Sequence, residues 1–313
     1  MLSSRQARAA QLLSPLQATI LVVAGEPISI PGGQDQTYPF VAHPHYYWLS
    51  GSRRSGGVLA FDPDEGWFDF RLPISQAERV WEGAHGQAGG LDVHDLPAWL
   101  EKRKGRPIAA VGAPSNACTA DLQWAQDVCR ELQHLRRPKY EGEVALVTRA
   151  IEASARGYAN LPQWVKPGVS EREIAIRLEA EFFLGGADAT GYGTIVGSGA
   201  NSAVLHWPAS GRRMAAGELV LIDAGGSVDG YTADVTRVYP VDGQWSARQR
   251  DLHDLLLQAQ INALQGCQVG VEWGDLHVLT ALELAAGLKH LGVLKCSAQE
   301  AVESEAIALF FPH

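Results

Sequence analysis

The order of segments predicts an α/β domain over residues 1–137 followed by an α+β domain over residues 138–313. Three observations carry that expectation. Strand-like and helix-like runs alternate through the first part, as in a sheet covered by helices. The charged, proline-bearing stretch Arg136-Arg137-Pro138-Lys139 has the composition of an inter-domain linker. Beyond it, two amphipathic helices precede a pair of apolar runs joined by glycines, the pattern of an antiparallel hairpin.

In the first domain, residues 4–13 read as a short helix with Ala9, Leu12 and Leu13 on one side, and residues 18–25 as a buried strand. An aromatic segment follows a Pro- and Gly-rich loop at Tyr46-Tyr47-Trp48-Leu49-Ser50-Gly51. Residues 57–61 and 67–70 pair as a hairpin across Asp62-Pro63-Asp64-Glu65-Gly66. Helices are expected at 75–83, 96–103 and 122–135, with a strand at 106–112. In the second domain a helix starts at Glu141, apolar at Val144, Leu146, Val147 and Ile151. Pro167-Gly168 ends it. Ser170 with Glu173 forms a capping box for the next helix, whose Ile174, Leu178 and Phe182 share a face. A last helix, 273–291, carries Leu276, Leu279, Leu282 and Ala286 on one face.

Composition narrows the function classes. Net charge is −9 and the basic residues form no long run, which argues against nucleic-acid binding. Cys118, Cys129, Cys267 and Cys296 show neither CxxC spacing nor the density of a disulfide framework, so a reducing cytoplasm is expected. Pro15 and Gln17 interrupt the apolar stretch after Arg5 and Arg8, unlike a signal peptide. No stretch reaches the ~20 apolar residues that span a bilayer.

The chemistry concentrates in Gly217 to Val241. Residues 219–222 read as a strand ending at Asp223, and a second strand from Tyr231 to Val241 carries Asp234. A buried lone carboxylate costs several kcal/mol unless paired. Leu221, Ile222, Val235 and Val238 supply no charge, which leaves Arg237 or a divalent cation as the partner. Two solvated, turn-capping aspartates are the alternative.

The pattern D-x-G-x-x-x-x-G-Y-x-x-D-x-T-R, fixed at Asp223, Gly225, Gly230, Tyr231, Asp234, Thr236 and Arg237, resembles the first two metal ligands of the pita-bread metallopeptidases. The aromatic 46–51 segment and Glu78-Arg79-Val80-Trp81-Glu82-Gly83 resemble the amino-terminal domain of the aminopeptidase P and prolidase branch. The resemblance implies a creatinase/prolidase-type N-terminal domain before a pita-bread domain, and hydrolysis of Xaa-Pro bonds in dipeptides or short peptides. It implies two divalent ions, manganese first with zinc or cobalt as alternatives, bound in part by Asp223 and Asp234. Thr236 would orient Asp234 from the second layer, Arg237 would balance the acidic cluster, and a homodimer is expected. A lone His beside Leu205 and Trp207 reads from the residues alone as a packed, hydrogen-bonded core residue, whereas at His206 the resemblance implies a substrate contact near the scissile bond, where an imidazole suits proton transfer.

Phe310-Phe311-Pro312-His313 resembles the run that introduces H-G-x-G-H, with His313 in the place of the first, substrate-side histidine. The remaining His and Glu ligands are then expected beyond His313, and the pita-bread domain to be truncated. Gly90-Leu91-Asp92-Val93-His94-Asp95 mimics a later family segment, but its place in the chain marks His94 as a surface or capping residue. Asp275, His277, Glu283 and His290 spread around a helix and are not expected to bind metal. The alternatives are a non-catalytic binding protein or inactive fragment on the same fold, and a creatinase-type hydrolase without metal.

Overall fold

The computed structural model describes residues 1–81, 83, 89–112 and 121–312. The chain divides into two units, Met1–Val144 and Ala145–His313.

The first unit contains α1 (Leu2–Leu13), β1 (Thr19–Val23), α2 (Pro44–Ser50), β2 (Val58–Asp62), β3 (Gly66–Arg71), α3 (Gln76–Trp81), β4 (Leu91–Asp92), α4 (Leu96–Glu101), β5 (Ile108–Gly112) and α5 (Leu122–Leu135). Its five-stranded sheet has the order β4-β3-β2-β1-β5, with β1 parallel to β5 and antiparallel to β2. Every residue of β1 is buried, because helices cover both faces of the sheet. Ile20 and Val22 pack toward α1, α2 and α5 in one cluster, while Leu21 and Val23 pack with Trp99 and Leu100 of α4 in another. This is the two-residue alternation of a strand read out in three dimensions. The aromatic segment forms α2, and its Tyr46, Trp48 and Leu49 are core residues. His94 is a surface residue whose backbone N–H is capped by the Asp92 carboxylate at 2.9 Å.

The second unit takes up α6 (Glu141–Trp164), whose first residues precede the division, then α7 (Glu171–Leu184), β6 (Ala189–Thr190), β7 (Ile195–Ser198), β8 (Leu219–Ala224), β9 (Gly226–Val228), β10 (Tyr231–Thr232), β11 (Val235–Pro240), α8 (Ala247–Gly266), α9 (Trp273–His290) and α10 (Ala298–Glu303). One three-stranded sheet runs β11-β8-β7 and a second β10-β9-β6. The capping box at Ser170 and Glu173 opens α7, and Ile174, Leu178 and Phe182 are fully buried. On β8, Val220, Ile222 and Ala224 face that helical layer, and the alternate residues Leu219, Leu221 and Asp223 are half-buried on the other side.

One expectation needs correction, and two helices bury residues other than their apolar rows. In α6, Val144 and Ile151 are half-exposed, and the buried stripe is Ala150, Ala153 and Leu161. Small residues win there because α7 comes close: a Cβ on Gly157 would sit 2.7 Å from Leu178. In α9 the buried face is Ala281, Leu284, Ala285 and Leu288 rather than the row through Leu276 and Ala286. That helix is apolar on more than one side, so periodicity does not choose a face, and packing in one cluster with Ala259 of α8 and Ala301 of α10 does. Finally, the glycine-rich hairpin is not a single one. β8 pairs with β11, while β9 and β10 fold out between them into the second sheet.

Candidate metal centre

The crossing of these two sheets builds the site. At Gly225 a Cβ would lie 1.7 Å from the Ala233 carbonyl oxygen, so only glycine lets the outgoing and returning chains pass. The ladder between β8 and β11 breaks off here, and α6 supplies the missing partners. Ser154 Oγ accepts from Gly226 N–H at 2.9 Å, and the Tyr158 hydroxyl accepts from Ala224 N–H at 3.1 Å while donating to the Val235 carbonyl. Burial of the Tyr158 ring pushes its phenol pKa up, which keeps the hydroxyl a donor.

Register then places the carboxylates. Thr236 lies opposite Asp223 in the antiparallel pair. Asp234 stands two residues before Thr236 and so projects from the same face as Asp223. Both line a cleft of about 550 Å³ with Tyr192, Gly193, Thr194, Ile195, His206 and Pro208. The Tyr192 hydroxyl lies 2.5 Å from Asp223 Oδ1 and 3.1 Å from Asp234 Oδ1. Burial, followed by the hydrogen bond to Asp223, raises the phenol pKa well above its ordinary value.

Among the described residues no basic side chain pairs with either aspartate. Arg237, expected to balance the cluster, donates instead to the Thr236 carbonyl at 2.7 Å, because it lies opposite Ile222 and outside the Asp223 row. Thr236 makes no side-chain hydrogen bond to Asp234 among the described residues, and the hydroxyl that touches the pair is that of Tyr192. His206 is exposed at the cleft, following the turn Gly199–Ala203. His313 lies outside the described residues. Asp275, His277, Glu283 and His290 form no metal-holding group: among the described residues there is no cluster of three or more His, Cys, Asp or Glu suited to one.

The donor chemistry fits a hard or borderline divalent cation. Two carboxylates within reach of one hydroxyl repel each other, and a cation between them would turn that repulsion into coordination. Two carboxylates are nonetheless only part of a shell.

Tyr192 was not legible as a site residue, since it stands 31 positions before Asp223 with only flanking glycines for a signal. Glu171 was also missed. It is fully buried at the start of α7, and a buried acid among apolar helix positions was the signal that could have marked it.

The pattern of metallopeptidase family M24 matches residues 145–308, more than half of the chain. The chain belongs to metallopeptidase family M24. The aminopeptidase P N-terminal domain matches residues 5–91 of this M24 chain. A probable Xaa-Pro aminopeptidase of Tuber melanosporum is 28% identical over 295 residues, covering 89% of this chain and 64% of its own length. One of Botryotinia fuckeliana is 32% identical over 295 residues with the same coverage, 89% and 64%. The M24 chain thus spans less than two thirds of either relative's length. In fold it is similar to the aminopeptidase PepP of Pseudomonas aeruginosa, with a TM-score of 0.81 at 24% identity over 98% of this chain and 77% of that one. The arrangement of an aminopeptidase P N-terminal domain before a pita-bread domain agrees with the sequence-based expectation. No helix among the described residues is long and apolar enough to cross a membrane.

Proposed function

We propose that the cleft is part of a dinuclear metal site in a peptidase that hydrolyses the bond between an amino-terminal residue and a following proline. The observation that carries this reading is the convergence of Asp223 and Asp234 on one cleft with no basic partner among the described residues. Membership of the M24 family and the Xaa-Pro aminopeptidase names of the relatives support it. The names favour release of an N-terminal residue from peptides over cleavage of dipeptides.

Bound divalent ions, with manganese proposed ahead of zinc or cobalt, would supply a Lewis acid and lower the pKa of a water. Asp223 and Asp234 would hold the ions through carboxylate oxygens, and the β8–β11 pairing, with Asp234 one residue before it, sets where the two carboxylates stand. Tyr192 keeps both side chains turned into the cleft. His206 stands at the same cleft and offers an imidazole to the substrate or to the departing amine. Two carboxylates are too few for a dinuclear site, so the reading requires further ligands and a general base. Cytoplasmic location and homodimer formation are parts of the same reading.

The test is hydrolysis of an Xaa-Pro peptide by the intact protein with and without chelator. Activity that disappears with chelator and returns with Mn²⁺ supports the reading, and full activity in chelator overturns it. A second reading, a non-catalytic binding protein, draws on the lack of a three-residue metal group among the described residues. Equal partner binding by wild type and Asp223→Ala, with no hydrolysis by either, would favour it.

A further inference from the structure

Glu171 is the first residue of α7 and is completely buried, and nothing in the proposed chemistry uses it. Burying a carboxylate is costly unless hydrogen bonds replace its water. Here six donors do so. Oε1 accepts from Ser198 N–H at 2.8 Å, Ser198 Oγ at 2.7 Å and Asn201 Nδ2 at 2.9 Å. Oε2 accepts from Trp207 Nε1 at 3.1 Å, Ser210 N–H at 3.2 Å and Ser210 Oγ at 2.5 Å. All six lie in one segment, residues 198–210, and that segment carries His206.

The same helix end engages the segment through its backbone. The N–H groups of Glu171 and Arg172, which a helix start leaves without intrahelical partners, donate to the carbonyls of Arg212 and Ser210 at 3.1 and 2.9 Å. Arg212 closes the arrangement from outside, donating to Ser198 Oγ at 2.6 Å and to Glu218. His206 itself is exposed, with Asn201 five residues before it and Trp207 immediately after it tied to the two oxygens of Glu171.

We propose that Glu171 is a positioning residue, a buried carboxylate that fixes residues 198–210 at both ends and thereby sets where the His206 imidazole stands in the cleft. Its functional meaning rests on the reading of His206 given above, but the positional claim does not need metal or substrate. The carboxylate has no catalytic contact. An acid suits this place better than an amide, since all six neighbours donate and a glutamine would turn an NH₂ toward at least one of them.

The experiment compares wild type, Glu171→Gln and Glu173→Gln by NMR of the metal-free protein, following the His206 ring signal, the Trp207 indole N–H and amide exchange at Val204 and Trp207. Glu173→Gln removes a carboxylate from the same helix start while its amide oxygen can still accept from Ser170 N–H, so this variant reports what loss of charge at that end does by itself. The expected result for Glu171→Gln is a shift of both side-chain signals and about tenfold faster exchange at the two amides, with Glu173→Gln leaving them in place. Should Glu171→Gln fail to fold, Ser210→Ala removes one of the six donors and is expected to shift the Trp207 indole and His206 signals in the same direction. Unchanged His206 and Trp207 signals in folded Glu171→Gln or Ser210→Ala, or equal shifts in Glu173→Gln, overturn the proposal. Loss of hydrolysis in chelator bears on the peptidase reading alone, so the two fail separately.

Discussion

Tyr192 donates its phenol proton to Asp223 at 2.5 Å while the same oxygen lies 3.1 Å from Asp234, so one proton serves two carboxylates. Without a cation, that hydroxyl is the only group among the described residues that bonds to either acid. Tyr192→Phe leaves the pair facing each other with water alone. The expected loss is about 1–2 kcal/mol of unfolding free energy in chelator, at the low end for a charged hydrogen bond because Asp234 is exposed. Urea unfolding with and without Mn²⁺ checks it, and added metal should recover part of the loss.

Gly225 is where the chains of the two sheets pass at van der Waals limits. Gly225→Ala puts a methyl group 1.7 Å from the Ala233 carbonyl, which flexible side chains cannot absorb because the obstacle is backbone. The expected destabilisation is at least about 3 kcal/mol, with the Asp223–Asp234 geometry lost in whatever remains folded. Thermal unfolding measures the first effect. Gly211→Ala, where a Cβ meets nothing within 4 Å, is the control.

Glu171 gives the unit a defined acid response. Its hydrogen bonds hold the carboxyl well below the usual carboxylate range, at about 2 against an ordinary 4.5, although burial alone would push it up. A depressed folded-state pKa means the stabilisation is full above about pH 4.5 and is lost as pH falls toward 2. Its size at neutral pH is on the order of 3 kcal/mol. The stability gap between wild type and Glu171→Gln should therefore be constant from pH 7 to 5 and shrink below that. A gap independent of pH down to 3 contradicts the assignment.

Arg237 is placed away from the acids by its register opposite Ile222. Arg237→Ala should leave cation binding within about twofold of wild type, whereas Asp223→Asn should weaken it at least tenfold, since it removes a charged ligand. Titration with Mn²⁺ in both variants separates the two.

The elements that were legible in the sequence were those with one dominant signal. β1 is a continuous apolar run, α7 has a capping box and a clean four-residue spacing, and the Asp223–Asp234 pattern fixes seven positions. What escaped depended on partners distant in sequence. The buried stripe of α6 is made of alanines that carry little hydrophobic signal, and α9 is apolar on several sides. The 20-residue α8 was not expected at all: only Ala259 is fully buried, and its other apolar residues scatter between exposed and half-buried positions. Tyr192 and Glu171 gain their meaning from contacts that local pattern cannot announce, at 31 residues to Asp223 and 42 to Asp234 for the first and at 27 to 39 residues for the second's donors.

The most direct test of the central claim is paramagnetic broadening by substoichiometric Mn²⁺ in amide spectra of the metal-free chain, a measurement suited to an incomplete ligand set. Selective loss of signals is expected at Asp223, Asp234 and Tyr192, with His206 also affected, and no such loss in the Asp223→Asn, Asp234→Asn double variant. Broadening that spares these residues, or that persists unchanged in the double variant, would contradict it.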